Sequence, residues 1–574
     1  MHPEMMIKNI KKYSKQINKR INIVILLLAL MVIGLSGKII YLQIFQSRNM
    51  EKICLERSVL KYKDPAERGE ITDSRGNAIA TNIICHNLYI RREKITNKNK
   101  LIRDIAQCGI LSRKSIAEKL NSKFSYIALY YNLSQDQIDA LESLNNDAVI
   151  IHREQIRHYI HPGIFSPITG FVGMDNQGLE GIEYLYNDEL KGKEGYVQYQ
   201  RKPTGRMFKH PSNHDKPARK GKDIALTLRS RYQEIAYNEL AQCVEKYNAR
   251  SGNVIIMHVQ SGEILAMTSY PSYDSNQLGY GDPGKCKNHS ILSLYEPGSI
   301  FKMITAAAAI EYSKVGLNDI VKKADEDSLV INGYKIKDAH ESDELTFEEA
   351  FIQSSNIGFV NIGKRVGKRL FYVMINAMGF NRRVDIKLPG EQKGILLHER
   401  DWIPIHQANI CFGQGISVTA LQMIAAYNIV ANGGVYVKPT IIKSIGGNNI
   451  QSHTVKRIIR ESTAGKLNSL LESVVERGTG KKASVDGISI AGKTGTAEKS
   501  SQTGGYAHDR YISSFVGYFP SDNPEYIMIV TVDEPRGIYW GSEVAAPLFS
   551  AITRQIINLR ENRRLIKPGK EIQA

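Results

Sequence analysis

Three short polar motifs follow one another along this chain. They are Ser299-Ile-Phe-Lys302, Ser354-Ser-Asn356 and Lys493-Thr-Gly495, and 194 residues separate Ser299 from Lys493. Together they supply what attack on an amide needs: a hydroxyl that can be activated, a proton relay and a cationic anchor for a carboxylate. Because they are so far apart in sequence, they can act together only in a large domain that folds them into one site.

The first motif lies where a helix is predicted to begin. Ser299 follows the turn signal Glu296-Pro297-Gly298 and precedes a run of strong helix formers, Met303–Ile310. Residues i and i+3 share a helix face about 5–6 Å apart, so the Lys302 amine can reach the Ser299 hydroxyl. A helix-capping serine followed by a surface lysine has the same spacing. This motif alone therefore does not decide the chemistry.

The order of the motifs separates them from two similar segments. Ser58-Val-Leu-Lys61 repeats the spacing of the first motif, but it lies in a charged stretch, and we predict that it is solvated surface. Ser521-Asp-Asn523 repeats the second, but it follows Lys493 and lies in a segment typical of a tight turn between strands. Ser354 lies between the other two motifs, as the chemistry's motif order requires.

The third motif is predicted to lie on a strand. Lys493 follows the alternating run Ile488–Gly492, and a second strand is predicted over Tyr511–Phe519. Such a strand presents an ammonium group, the hydroxyls of Thr494 and Thr496, and a bare backbone at Gly495 where a ligand can approach. An edge strand whose lysine only prevents aggregation has the same pattern. The three motifs in order favour the catalytic interpretation.

Lys302 is the predicted general base. An ordinary lysine, with a pKa of about 10.4, is almost entirely protonated at pH 7 and cannot accept a proton. Burial and the neighbouring charge of Lys493 both disfavour the charged form and would prepare Lys302 for this role. Ser354 would then pass a proton to the leaving amine, and Asn356 would position the lysine and the substrate amide.

The motifs resemble those of a known family. YEPGSIFK (295–302), SSN (354–356) and AGKTGTAEK (491–499) resemble the active-site motifs of the penicillin-binding proteins. The segment Arg68–Gly76 is similar to the box that opens the non-catalytic pedestal in their monofunctional class B branch. Further matches lie at Gly170–Gly173, Gly178–Glu183, Leu388–Glu391 and Gly413–Thr419. The departures are Ile300, Ser74 and Ala420, and none removes a reacting group.

The resemblance implies a fold, a reaction and roles for residues. The fold is an α+β transpeptidase domain with a five-stranded antiparallel sheet flanked by helices, and the reaction is D-alanyl-D-alanine cross-linking of peptidoglycan stem peptides. The backbone N–H groups of Ser299 and Thr496 would form the oxyanion hole. Thr494 and Thr496 would join Lys493 in holding the terminal carboxylate of the substrate, beside Gly495. β-Lactams would act as inhibitors.

The N-terminus predicts a membrane anchor. Residues 1–20 carry six Lys or Arg residues and one acidic residue, and an apolar run follows from Ile21 through Phe45, interrupted by Lys38. About 20 apolar residues cross a bilayer as a helix, and basic flanks stay in the cytoplasm. We therefore expect a single-pass protein of the inner membrane whose catalytic domain lies outside the cytoplasm. A cleaved signal peptide is the competing interpretation, but there is no A-x-A-like cleavage site.

The predicted organisation has five segments. They are a basic cytoplasmic tail (1–20), the anchor (21–45), a strand-rich pedestal (46–220) with a head-like insertion (83–155), the transpeptidase domain (221–552) and a basic C-terminal tail (553–574). Helices are expected at 112–120 and 134–144 in the insertion and at 231–247 in the catalytic domain. A hairpin is expected over 254–267, around Gly262.

Composition excludes other classes of function. The net charge of +18 is not accompanied by any nucleic-acid motif, and outside the cytoplasm a basic surface meets anionic lipid and wall carboxylates instead. The six cysteines have no metal-site spacing, although Cys85 and Cys108 could pair in an oxidising compartment. The Gly279–Lys285 loop matches a phosphate-binding pattern, but Cys286 replaces its Ser/Thr. We expect no metal or cofactor.

Three alternatives stay open. Within the family, the YEPGS and LPGE segments resemble the septal, division-specific branch more than the elongation branch. A β-lactamase or β-lactam sensor would use the same nucleophile, but no E-x-x-L-N segment lies between Asn356 and Lys493. A catalytically silent scaffold of the division machinery would depend on the pedestal alone. No region is left for glycan polymerisation, so a polytopic glycosyltransferase and other division proteins are the expected partners.

Overall fold

The computed structural model describes residues 3–47, 59–173, 175–201, 207–209, 215–277, 287–339, 342–450, 455–500 and 506–565. The chain divides into two compact parts. The smaller comprises residues 1–66 and 193–219, and the larger comprises residues 67–192 and 220–574. The predicted segments around Ser58 and Gly279–Lys285, together with Cys54 and Cys286, lie outside the described residues.

The α-helices follow in chain order: α1 (Pro3–Ile40), α2 (Lys98–Gln107), α3 (Arg113–Lys119), α4 (Gln135–Ser143), α5 (Ser166–Thr169), α6 (Gly181–Leu185), α7 (Asn187–Leu190), α8 (Ser230–Lys246), α9 (His289–Leu292), α10 (Lys302–Glu311), α11 (Phe347–Ile352), α12 (Asn356–Val366), α13 (Lys368–Ala377), α14 (Pro404–Cys411), α15 (Ala420–Ala431), α16 (Glu461–Arg477) and α17 (Ala545–Leu565). A π-helical turn, Tyr41–Phe45, continues α1. Short 3-10 turns occupy Arg92–Lys94, Gly298–Phe301, Glu399–Asp401 and Lys481–Ala483.

The strands follow in the same order: β1 (Val59–Asp64), β2 (Ile71–Thr72), β3 (Ala78–Arg91), β4 (Tyr126–Tyr130), β5 (Val149–Tyr159), β6 (Gly195–Arg201), β7 (Met207–Lys209), β8 (Ile224–Leu226), β9 (Ser251–His258), β10 (Ile264–Tyr270), β11 (Ile320–Lys322), β12 (Leu329–Ile331), β13 (Tyr334–Ile336), β14 (Leu345–Thr346), β15 (Val435–Val437), β16 (Ile442–Ile445), β17 (Asn448–Asn449), β18 (Val455–Arg457), β19 (Ala491–Ser500), β20 (Tyr506–Phe519) and β21 (Tyr526–Asp533).

The smaller part contains the apolar helix and a three-stranded sheet. The sheet has the order β1-β6-β7, and β1 pairs antiparallel to β6 with Val59 opposite Gln200. Helix α1 begins at Pro3, inside the predicted basic tail, and not at Ile21. The helical span Ile7–Phe45 is 39 residues long and contains an 18-residue window with a mean hydropathy of 2.7, so it is long and apolar enough to cross a membrane. Lys61, of the second Ser-x-x-Lys segment, is exposed on β1.

The head-like insertion forms its own small core in the larger part. Strands β3, β4 and β5 belong to a sheet that also includes β2, β8, β16 and β17. The two helices expected here are confirmed as α3 and α4, and the side chains of Ser112 and Ser134 cap their N-termini. Cys85 and Cys108 are not bonded to each other. The pairing that the sequence left open is not formed, because the Cys85 thiol faces Asn132 and the Cys108 thiol faces the carbonyl of Asp104.

A buried ion cluster joins the start of the larger part to α6. Both oxygens of the Glu183 carboxylate accept hydrogen bonds, one from Arg68 Nε at 2.6 Å and one from Arg157 Nε at 2.7 Å. Arg68 and Glu183 are both completely buried. Arg68 also donates to the carbonyl of Asn176 and the side chain of Asn187. Removing the Glu183 charge would leave two buried arginines without their carboxylate.

The catalytic sheet is five-stranded and antiparallel, with the order β10-β9-β21-β20-β19. Large apolar clusters cover both faces, one including α10 and α15 and the other including α8 and α17. The expected hairpin is confirmed as β9 and β10. Strand β19 begins at Ala491, later than the alternating run suggested, because Ile488 closes a turn by donating to the carbonyl of Val485 at 3.1 Å.

Candidate active site

A tight 3-10 turn carries Ser299. It spans Gly298–Phe301 and leads directly into α10, which starts at Lys302. Gly298 has φ +57°, and a Cβ at this position would lie 3.0 Å from the carbonyl oxygen of Thr496, so the turn packs closely against β19. The buried hydroxyl of Tyr427 donates to the carbonyl of Ile300 at 2.6 Å. The hydroxyl of Ser299 is therefore held by a rigid backbone.

Lys302 lies at the centre of the site. Its Nζ is 3.1 Å from Ser299 Oγ, 3.1 Å from Ser354 Oγ, 2.8 Å from Asn356 Oδ1 and 2.5 Å from the carbonyl oxygen of Ser354. The residue is completely buried, one helical turn after the serine. Both serine hydroxyls thus lie within hydrogen-bond distance of the same nitrogen.

These four contacts would fix the orientation of a neutral amine at Lys302. The carbonyl of Ser354 can only accept, and Asn356 Oδ1 is oriented as an acceptor because its Nδ2 donates to the carbonyl of Lys337 at 3.0 Å. A neutral amine has two N–H groups, and these two acceptors use both. Its lone pair is left facing the hydroxyls of Ser299 and Ser354, where it can accept a proton.

Two helices place the second motif. Helix α11 ends before Ser354, which adopts φ +64°, an uncommon left-handed conformation for a residue with a side chain. Helix α12 then begins at Asn356, and the Ser355 hydroxyl caps it by accepting from Gly358 N at 2.9 Å. The change of direction at Ser354 brings both its carbonyl and its hydroxyl to Lys302.

Asp338 is a site residue that the sequence analysis missed. Its carboxylate accepts from the backbone N–H groups of Asn356 at 2.5 Å and Ile357 at 3.0 Å and from the Ser355 hydroxyl at 2.7 Å. A carboxylate at a helix N-terminus satisfies otherwise unpaired N–H groups and complements the helix dipole. Asp338 thereby holds the loop that supports Lys302, although it lies 18 residues before Asn356 in the sequence.

Both lysines of the motifs have perturbed ionisation. Burial and the nearby charge of Lys493 lower the pKa of Lys302, whereas the Asp338 carboxylate raises it. The net effect is a pKa well below the ordinary value. Burial lowers the pKa of Lys493 to about 7. Lys493 is completely buried, and its Nζ has no hydrogen-bond partner among the described residues. An unpaired buried amine of this kind, partly protonated at neutral pH, is suited to an incoming carboxylate, which would stabilise its charged form.

The third motif lies on β19, the outermost strand of the catalytic sheet. Thr494 Oγ1 is 2.7 Å from Thr479 Oγ1, and Thr496 Oγ1 accepts from Gly541 N at 2.9 Å. A Cβ on Gly495 would lie 2.5 Å from Ser514 Oγ and 3.1 Å from the carbonyl oxygen of Pro297. A glycine is therefore needed here for β19 to pack against the turn that carries Ser299. Within the described ranges no strand pairs with the outer edge of β19.

The structure thus brings the predicted residues together in two groups. Ser299, Lys302, Ser354 and Asn356 share direct contacts around one nitrogen. The charge of Lys493 lowers the pKa of Lys302, and β19, which carries Lys493, packs against the Gly298–Phe301 turn. No described hydrogen bond links Thr494 or Thr496 to the first four residues. Their predicted role in binding a carboxylate stays a prediction.

Comparison with known proteins identifies the family. The model of the "Penicillin binding protein transpeptidase domain" matches residues 252–554, and that of the "Penicillin-binding Protein dimerisation domain" matches residues 63–226. The chain is 32% identical to stage V sporulation protein D of Bacillus subtilis, over 94% of this chain and 85% of that protein. It is 31% identical to the probable peptidoglycan D,D-transpeptidase PenA of Neisseria meningitidis, over 97% and 95%.

The solved structures agree. Penicillin-binding protein 3 of Mycobacterium tuberculosis, in complex with aztreonam, superimposes with a TM-score of 0.67 at 26% identity, over 87% of this chain and 97% of that one. The fold and site define a serine acyltransferase with a buried lysine at its centre. The chain belongs to the class B penicillin-binding proteins. It is a serine-type peptidoglycan D,D-transpeptidase.

Proposed function

We propose that Ser299 is the nucleophile and Lys302 the general base of the cross-linking reaction. The observation that carries this proposal is the position of Lys302 Nζ, 3.1 Å from both Ser299 Oγ and Ser354 Oγ. The neutral lysine removes the proton from Ser299 as its oxygen attacks the carbonyl carbon between the two terminal D-alanines of the donor peptide. The oxyanion accepts hydrogen bonds from the backbone N–H groups of Ser299 and Thr496.

The acyl-enzyme forms when the C–N bond breaks. Ser354 donates its hydroxyl proton to the leaving D-alanine amine and takes the proton held by Lys302, so the lysine is neutral again. Lys493, with Thr494 and Thr496, holds the terminal carboxylate of the donor beside Gly495. Asn356 holds Lys302 and the substrate amide.

Transfer reverses these proton movements. An acceptor amine attacks the ester carbon, and Ser354 removes its proton and passes it to Lys302. The C–O bond to Ser299 then breaks, and the serine oxygen recovers a proton from Lys302. The products are a new peptide cross-link and the free enzyme. β-Lactams acylate the same serine, but the amine that they release stays tethered to the adduct.

Labelling with a fluorescent penicillin tests these roles with controls that the sequence itself supplies. Ser299→Ala should abolish labelling, whereas Ser58→Ala, in the other Ser-x-x-Lys segment, should leave it unchanged. Ser354→Ala should slow labelling strongly, whereas Ser521→Ala should not. Labelling that survives Ser299→Ala would refute the assignment. A stable adduct supports the transpeptidase, whereas rapid drug turnover would support a β-lactamase.

We further propose the domain boundaries and membrane topology given by the sequence. Residues 21–45 anchor the protein in the inner membrane, residues 1–20 face the cytoplasm, and the pedestal (46–220), transpeptidase domain (221–552) and basic tail (553–574) lie outside it. The apolar part of the helical span Ile7–Phe45 supports the anchor. The basic residues that precede this apolar part support the orientation. Protease accessibility in spheroplasts tests it: digestion of the catalytic domain in sealed cells is expected.

We propose a role in septal wall synthesis, alongside a polytopic glycosyltransferase and other division proteins. The resemblance of the YEPGS and LPGE segments to the septal branch supports this choice, and the relatives include a protein named FtsI, from Escherichia coli, at 27% identity. Depletion should produce filaments. Rounded cells would indicate an elongation enzyme. If Ser299→Ala supported normal growth, a scaffolding role would explain the protein better.

A further inference from the structure

The helix that precedes the apolar span has two chemically distinct faces. Helix α1 begins at Pro3, so residues 7–20 are helical and not an irregular tail. Ile7, Ile10, Tyr13 and Ile17 are between 53 and 68% exposed. At about 100° per residue they fall within an arc of about 120°. They form an apolar stripe on one face of the helix, and Ser14 falls within the same arc.

The opposite face of the same segment is basic. At the same angle per residue, its lysines fall within an arc of about 100° that does not overlap the apolar stripe. These lysines are Lys8, Lys11, Lys12, Lys15 and Lys19. Retention of a basic tail in the cytoplasm depends on the number of its Lys and Arg residues and does not require the lysines to lie on one face of a helix. We call residues 7–20 the basic amphipathic segment.

We propose that the basic amphipathic segment lies along the cytoplasmic surface of the membrane and binds anionic phospholipid. Its apolar stripe would enter the boundary between headgroups and acyl chains, while its lysines contact lipid phosphates. This inference rests on the proposed anchoring of the chain. The structure has one unbroken helix over Pro3–Ile40, so the proposal requires its axis to turn at the membrane surface near Asn18 and Asn22, where two polar side chains flank the start of the apolar run.

Charge complementarity favours an anionic lipid surface over a second copy of this chain. Two copies packed through the apolar stripe would bring two segments of high positive charge side by side. An anionic leaflet instead lowers the free energy of each lysine near it. Under the proposed topology the same helix continues into the membrane span at Ile21, so the membrane surface is always within reach of the segment.

Tryptophan fluorescence in nanodiscs tests the proposal with the full-length protein. Tyr13→Trp puts a probe on the apolar stripe, and Lys12→Trp puts one about 100° away on the basic face. The signal of the two native tryptophans, Trp402 and Trp540, is measured in the unsubstituted protein and subtracted. In nanodiscs containing brominated anionic lipid, the probe at position 13 should be quenched strongly and the probe at position 12 weakly.

The lysines supply the matched controls. In the Tyr13→Trp protein, changing Lys8, Lys11 and Lys15 to Gln should lower the ratio of surface-bound to free segment by about 100-fold, at about fivefold per lysine. Changing the same three lysines to Arg should preserve quenching. Nanodiscs of brominated zwitterionic lipid, which carry the same quencher without the negative charge, should show little quenching of either probe.

Three results would overturn the proposal. The first is an unquenched Tyr13→Trp probe in anionic nanodiscs. The second is quenching that does not depend on lipid charge or on the lysines. The third is a probe shielded from both brominated lipid and aqueous iodide, which would place a protein helix on the stripe. Flotation of the protein with vesicles at alkaline pH reports anchoring separately, so a failed anchor is distinguishable from a failed surface contact.

Discussion

Replacing Lys493 by methionine should make the protein more stable at neutral pH while removing its activity. Lys493 is completely buried and its Nζ has no hydrogen-bond partner among the described residues. Its pKa is lowered to about 7 by burial. Methionine is a flexible apolar side chain of similar length and can fill the same space without a charge.

The size of the effect follows from proton linkage. The unfolded lysine has a pKa of about 10.4, whereas the folded value is about 7. Between these values the unfolded state binds a proton that the folded state does not, so the stability of the parent protein rises with pH in this window. At about 1.4 kcal/mol per pKa unit, the buried amine costs about 4 kcal/mol at pH 7 and less than about 0.5 kcal/mol near pH 10.4.

Chemical denaturation of the full-length protein in detergent, repeated between pH 7 and pH 10, measures this difference. Lys493→Met should be more stable than the parent by up to about 4 kcal/mol at pH 7, and the gain should shrink as the pH rises. Lys322→Met is the matched control. Lys322 is also buried, but it donates to the carbonyls of Ser342 and Asp343, so its loss should destabilise the protein by about 1–3 kcal/mol.

Two outcomes would refute the reasoning. One is a Lys493→Met protein less stable than its parent at pH 7. The other is a gain in stability that does not decrease towards pH 10. Either would mean that Lys493 is paired in the folded protein and that its ammonium group is not held ready for a carboxylate.

Three further predictions concern the surroundings of the site. Asp338→Asn should slow acylation by penicillin about 10- to 100-fold in stopped-flow labelling, because the loop that supports Lys302 loses a charged cap. Asp73→Asn, which removes a carboxylate that caps a different loop, should cause no comparable loss. Equal slowing by the two substitutions would contradict the role of Asp338. Lys302→Arg should reduce acylation at least about 1,000-fold at any pH from 6 to 10, since a guanidinium stays protonated; a rate near that of the parent would remove Lys302 as the base. Glu183→Gln should destabilise the protein by about 3–5 kcal/mol in denaturant titrations, because two buried arginines lose their partner; a change below 1 kcal/mol would show that the cluster is solvated.

The sequence predicted that Ser299, Lys302, Ser354 and Asn356 share one site, because they lie in short motifs with fixed spacings. Ser299 and Lys302 lie one helical turn apart, so their contact follows from helix geometry alone. The helices at residues 112–120 and 134–144 were likewise predictable from serine caps and periodic apolar residues. The resemblance supplied the order of the motifs, and hence which Ser-x-Asn segment belongs to the site.

Features that depend on distant contacts could not be predicted in this way. Asp338 caps α12 although 17 residues, including β14 and α11, lie between it and Asn356, and no local pattern marks it. The requirement for Gly495 also arises from packing against Pro297 and Ser514, not from ligand access alone. The start of α1 at Pro3 was not predicted, because basic residues before an apolar run indicate membrane orientation and not secondary structure. The spacing of the apolar and basic residues is nevertheless that of an amphipathic helix.

The position of Lys302 between two hydroxyls has a consequence for how long the covalent intermediate lasts. In the mechanism proposed above, one buried nitrogen takes the proton of Ser299 and later returns it, so the relay itself needs no proton from bulk water. Completion of turnover then depends on the arrival of an amine. With a β-lactam, the released amine stays attached to the adduct and would hinder the approach of the acceptor. The covalent enzyme should therefore last longer with the drug than with the natural donor.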